Sequence, residues 1–192
     1  MKLTLARFWR KNFFVTFAVC LLASCGRSGI SWTEEVRLQS GEIIVVQRTA
    51  KTKAFGELGG SGGWENQGMT LEIVAPKKPD NPPIWNYPFV PLVFDQDPET
   101  KEWLVVATFY SCTSWYGLGR PKLPYTEYRL KHGAWVQQTL SATLVGRKGN
   151  MLTDIRSSGE PHHTLASKAE RMADGRITKD YKEVVDQWST SC

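Results

Sequence analysis

Five positions, Gly59-Gly60-Ser61-Gly62-Gly63, match the G-x-S-x-G pattern in which a serine hydrolase presents its nucleophile. That chemistry needs the serine on a tight strand-to-helix turn with a histidine base within hydrogen-bond reach. His132, His162 and His163 are the histidines of the chain, and any of them would have to fold back onto Ser61. The flanks, Phe55-Gly-Glu-Leu58 and Trp64-Glu-Asn-Gln-Gly68, show neither the strand nor the helix, so a glycine-rich loop is the simpler expectation. His162-His163 beside Glu160 invites a metal, but neighbours in an extended segment point to opposite sides. Asp174-Gly175-Arg176-Ile177-Thr178 has the look of half an EF-hand loop. In that register Met172 and Tyr181 would fall where calcium needs oxygen, so calcium is rejected and a turn is expected. There is no Cys-x-x-Cys and no histidine close in sequence to Cys112 or Cys192. The expectation is therefore no catalytic centre, no metal and no cofactor.

Binding chemistry is better represented. Trp85 and Tyr87 lie in a proline-rich stretch, Trp115 and Tyr116 in a second loop, with Arg120 close by. Exposed tryptophan and tyrosine stack on sugar rings and anchor protein interfaces. These five residues are the candidate binding surface, toward an envelope protein or a glycan. The competing expectation is that the aromatics close the ends of a β-structure and are buried.

The chain has 192 residues, 41% of them apolar, and a formal charge of +5. Lys2, Arg7, Arg10 and Lys11 fall in the first 24 positions, where there is no acid. Without them 20 bases face 19 acids, a net of +1, which argues against nucleic acid as a partner. After the basic start, residues 13–22 are almost wholly apolar. Ten helical residues reach only about 15 Å, too short for a bilayer, and suit the apolar centre of a secretory signal.

Leu22-Ala23-Ser24-Cys25, followed by Gly26, resembles the lipobox of bacterial lipoproteins. The resemblance covers the first 26 residues only. It implies removal of residues 1–24, a diacylglyceryl thioether on Cys25, and anchoring by more than one acyl chain. Gly26, where an Asp would favour the inner membrane, implies the outer membrane, with the domain facing the periplasm. Residues 25–31 would be a short lipidated tether and 32–192 one domain. With Cys20 removed and Cys25 carrying lipid, Cys112 and Cys192 are left to pair in an oxidising compartment. Closing a loop of about 80 residues would contribute roughly 4 kcal/mol in the chain-entropy model. Two free thiols, or a bond to another protein, remain the alternatives.

The elements that must position these residues are mostly strands. Trp32 to Arg48 reads as a hairpin turning at Ser40-Gly41, its return strand apolar on both faces and so internal to a sheet. Residues 56–68 read as a glycine loop, and Met69, Leu71 and Ile73 share one face of the next strand. Pro76 to Pro91 contains six prolines and reads as loop. Pro91–Phe94 and Trp103–Tyr110 flank an Asp97-Pro98 turn. Tyr125–Leu130 and Trp135–Val145 flank His132-Gly133, and Met151–Ile155 is a candidate short strand. Thr164–Met172 and Thr178–Trp188 read as helices, the first through a Ser167-Lys-Ala-Glu170 capping box. The second carries an apolar stripe at Tyr181, Val184, Val185 and Trp188.

The expected fold is mainly β, a β-rich α+β chain: an antiparallel sandwich or partly open barrel with a C-terminal helical segment. The expected function is a lipid-anchored, non-catalytic binding or structural module of the envelope. The alternatives are an inhibitor or immunity-type lipoprotein, and an envelope hydrolase using Ser61.

Overall fold

In this computed structural model, residues 29–55, 63–109, 112–153 and 160–187 are described. Cys25, Ser61, Trp188 and Cys192 lie outside them. Two sheets face each other in a sandwich-like arrangement that does not close into a barrel. The first comprises β1 (Gly29–Arg37), β2 (Ile43–Phe55), β3 (Gly63–Ala75), β4 (Trp85–Tyr87) and the two-residue β9 (His162–His163), in the order β4-β3-β2-β1-β9. The second comprises β5 (Val90–Gln96), β6 (Trp103–Thr108), β7 (Tyr125–Lys131) and β8 (Ala134–Gln138), in sequence order. All neighbours are antiparallel except β9, which runs parallel to β1.

The first hairpin forms as its sequence demands. Gly41 takes φ +89°, and Leu38 N–H donates to Glu42 O at 2.8 Å to close the turn. β2 is internal, as its two apolar faces imply. Met69, Leu71 and Ile73 are all buried, on the face that carries Trp32, Val36 and Val46. The glycine stretch is a partial correction, because residues 63–68 extend β3, pairing Phe55 with Gly63. His132 and Gly133 both have positive φ, +52° and +79°. Two such residues give the primed turn that matches strand twist, and the β7–β8 hairpin closes on it.

The proline-rich segment is not wholly loop. Trp85–Tyr87 pairs with Leu71–Met69 as β4. Within the second sheet β5 and β6 are buried on both sides. Val90, Phe94 and Val105 face the first sheet, while Leu92, Leu104 and Val106 pack under Leu144, Val184 and Val185. That two-sided burial is why β5 and β6 read as near-continuous apolar runs rather than alternating ones.

Three further expectations are corrected at the C-terminal end. β8 stops at Gln138, and a single 3-10 turn (Ala142–Leu144) follows instead of strand to Val145. Residues 151–153, the described part of the candidate short strand, form none. The second helix is absent from the described part of 178–188. A 3-10 turn at Lys179–Tyr181 leads into extended chain, where Val184 N–H donates to Arg147 O and Gly146 N–H to Val184 O. Pairing with 146–149 buries Val184 and Val185 as effectively as a helix stripe would, and it satisfies the backbone. The other helix forms as α2 (Leu165–Ala173), but its cap is Thr164, whose side chain accepts from Ser167 N–H at 3.2 Å. Ser167 sits inside the first turn. A short helix, α1 (Cys112–Gly117), joins β6 to β7.

Candidate functional site

Three charged side chains enter the interior beside the apolar core. β1 alternates, so Trp32, Glu34 and Val36 point inward together; Arg48 lies directly across from Trp32 on β2. The only buried residue of α2 is Lys168. These meet at Glu34, which is fully buried. Its carboxylate accepts from Arg48 Nη1 at 2.8 Å, pairs with Lys168 Nζ at 2.7 Å and accepts from Leu152 N–H at 2.9 Å. Burial alone would raise its pKa, but Arg48 and Lys168 outweigh that and hold it below the ordinary value. Burial pushes the Lys168 ammonium down, against the pull of Glu34.

Lys168 spends its three protons on Glu34, Glu35 O and Asn150 O. Arg48 also stacks over the Trp32 ring, 4.8 Å from its centroid, and donates to Leu152 O. Glu35, the exposed-side neighbour, accepts from Leu165 N–H at 2.9 Å and so places a carboxylate at the start of α2, where the helix dipole favours one.

His162 and His163 divide as their alternation predicts. His162 is exposed and its Nδ1 lies 2.8 Å from Thr33 Oγ1. His163 is fully buried, and neither ring nitrogen has a hydrogen-bond partner, although the Glu160 carboxylate comes within 3.4 Å of Nδ1. Burial, then the nearby Arg171, lowers its pKa below the usual range. Among the described residues no three His, Cys, Asp or Glu side chains are placed to hold a metal ion.

Above the buried charges, two adjoining clefts open at the end of β1. One, about 510 Å³, lies between Leu38-Gln39, Asp95 and residues 143–148. The other, about 360 Å³, lies between α2 and residues 148–151, and its lining includes Met151, Leu165 and Met172. Arg37, Lys148 and Asn150 line both, so they form the shared wall. Arg37 and Lys148 are exposed, and neither side chain is engaged in an ion pair among the described residues. Arg147 and Lys182 add two more cations. The carboxylate in the lining is Asp95, almost fully buried, which accepts from Gln39 and Gln96 N–H and pairs with Arg147. Burial nevertheless raises its pKa.

Asn150 holds this wall in place. Its side-chain amide accepts from Phe94 N–H and donates to Phe94 O, both at 2.9 Å, as a neighbouring strand would. The same amide nitrogen lies 3.1 Å from Arg37 O, tying the end of β1 to β5.

The aromatic candidates separate. Trp85 is fully buried among Tyr87 and Tyr128, 5.3 and 5.4 Å away between ring centroids, so it belongs to the core and not to a surface. Tyr87 is half-buried and donates to Trp135 O at 3.1 Å, joining the two sheets. Trp115 packs on the core from the side and donates to Pro121 O. Tyr116 is the exposed member, 45% accessible, with Arg120 4.9 Å above its ring. The five do not form one patch. The cationic wall was missed because Arg37 and Lys148 are 111 positions apart and only the fold joins them. Cys112 is disulfide-bonded, and Cys25 and Cys192 lie outside the described residues.

No family model, no curated protein and no solved structure matches this chain.

Proposed function

We propose that this chain is a lipid-anchored envelope lipoprotein, held in the outer membrane through Cys25, and that its domain is a non-catalytic binding module for an envelope partner. One contrast carries the reading. The buried charges of Glu34 and Lys168 are spent on each other, on Arg48 and on backbone, whereas Arg37 and Lys148 stand exposed on a cleft wall with no ion pair among the described residues. Saturated groups hold a fold together, and unpaired cations in a concavity are available to a ligand. Orientation agrees. Gly29 is four residues along from Cys25, a reach of about 14 Å. Arg37 lies at the other end of β1, roughly 26 Å further along the strand. The clefts would therefore face away from the membrane that holds the anchor. In the same reading Cys112 pairs with Cys192.

Intact-mass analysis of the membrane fraction tests the anchor. The expected product begins at Cys25 and carries acyl chains, and Cys25→Ser leaves the chain unlipidated. A bare Cys25 thiol on the native protein refutes the anchor. For the module, affinity capture with Arg37→Glu/Lys148→Glu should lose a partner that the native chain retains; identical capture by both refutes the cleft as the binding face.

A further inference from the structure

We propose that the paired clefts take a carboxylate carried on an apolar group, the chemistry of an acidic and apolar peptide segment in a partner protein. The proposal rests on the binding reading above for its partner, though its chemistry is tested separately. The lining carries Arg37, Arg147, Lys148 and Lys182, and its carboxylate, Asp95, is already occupied. Residues 25–192 are close to neutral overall, so this positive field is local. Lys182 gives one proton to Asp174 O and keeps two. Arg37 presents an unused planar fork, which matches the two oxygens of a carboxylate.

The second cleft makes a bare anion the poorer fit. Its lining also holds Met151, Leu165 and Met172, and methionine adapts to irregular apolar shapes. An anionic head on the wall would leave its apolar group against these side chains. Both volumes lie in the range of small-ligand sites. A peptide fits better than a lipid surface, because the site is concave and stands at the end of β1 remote from the anchor.

Met69, Met151 and Met172 are the methionines beyond the leader, and they make the test specific. Met69 is buried against Arg48 and serves as the internal control. The full chain, purified in detergent and labelled with 13C at methionine methyls, is titrated with N-acetyl-leucine. The expected result is saturable shifts of Met151 and Met172 at about millimolar concentration, with Met69 still. N-acetyl-leucinamide, which lacks the charge, and acetate, which lacks the apolar group, should each bind about tenfold more weakly. Arg37→Ala/Lys148→Ala should weaken N-acetyl-leucine by about tenfold or more while leaving Met69 unmoved. Equal response to the amide or to acetate, no response, or no effect of the double variant overturns the proposal. Tighter binding of glycerol phosphate overturns it in favour of an anionic lipid headgroup. If the probes fail while Cys25 carries lipid, the ligand class is wrong and the anchored module stands.

Discussion

Replacing Glu34 with glutamine strips the negative charge from a site where two cations are already out of water. Arg48 and Glu34 are both fully buried and Lys168 nearly so. Glutamine keeps one acceptor oxygen, but its amide nitrogen points two protons at donors that now have nothing to receive them. Breaking a buried ion pair from one side costs about 3–5 kcal/mol, because the surviving charge is stranded. A domain of this kind is stable by about 5–15 kcal/mol, so Glu34→Gln removes a large share. With a urea slope of about 2 kcal/mol/M, the unfolding midpoint should fall by roughly 2 M at unchanged slope. Lys168→Met in the Glu34→Gln background should return at least about 1 kcal/mol beyond additivity, since it removes one stranded cation. The single variant costing under about 1 kcal/mol, or strict additivity in the double variant, would refute the view of a dry, mutually dependent cluster.

Two other perturbations test the packing around this cluster and the second cleft. Burial, and then Arg171, holds the folded-state pKa of His163 below that of an ordinary imidazole. As pH falls through that value the unfolded chain takes the proton first, so stability is full above it and declines toward lower pH. Urea midpoints should therefore drop between pH 7.5 and 5.5, and His163→Phe should flatten that slope; an unchanged slope sinks the assignment. A Cβ on Gly149 would meet Leu92 Cδ1 at 2.6 Å and the carbonyls of Leu92 and Lys182 at 3.1 and 3.2 Å. Gly149→Ala should cost about 1–3 kcal/mol in thermal unfolding and distort both clefts; a native melting temperature would show that the segment yields.

The strands were legible where one face alone meets the core. Met69, Leu71 and Ile73 alternate because the other side of β3 is wetter, and His132-Gly133 can close only a tight primed turn. The C-terminal segment misled because Tyr181, Val184 and Val185 fit a helical stripe equally well. Nothing local says that residues 146–149 will offer backbone partners instead. Glu34 and Arg48 were read past for a similar reason. A charged residue inside an alternating strand normally marks the solvent face, and only α2, some 120 positions away, supplies the lysine that completes the cluster. The cleft wall is the most remote of all, assembled from the end of β1 and residues 148–150, with no motif in either.

Asn150 has one more consequence. By reading both backbone groups of Phe94, a single side chain stands in for a missing fifth ribbon at the rim of the second sheet. That rim is thereby sealed against recruitment by foreign chains. Growth by strand addition to this sheet is left to β8 alone, where Tyr87 has already claimed the carbonyl of Trp135.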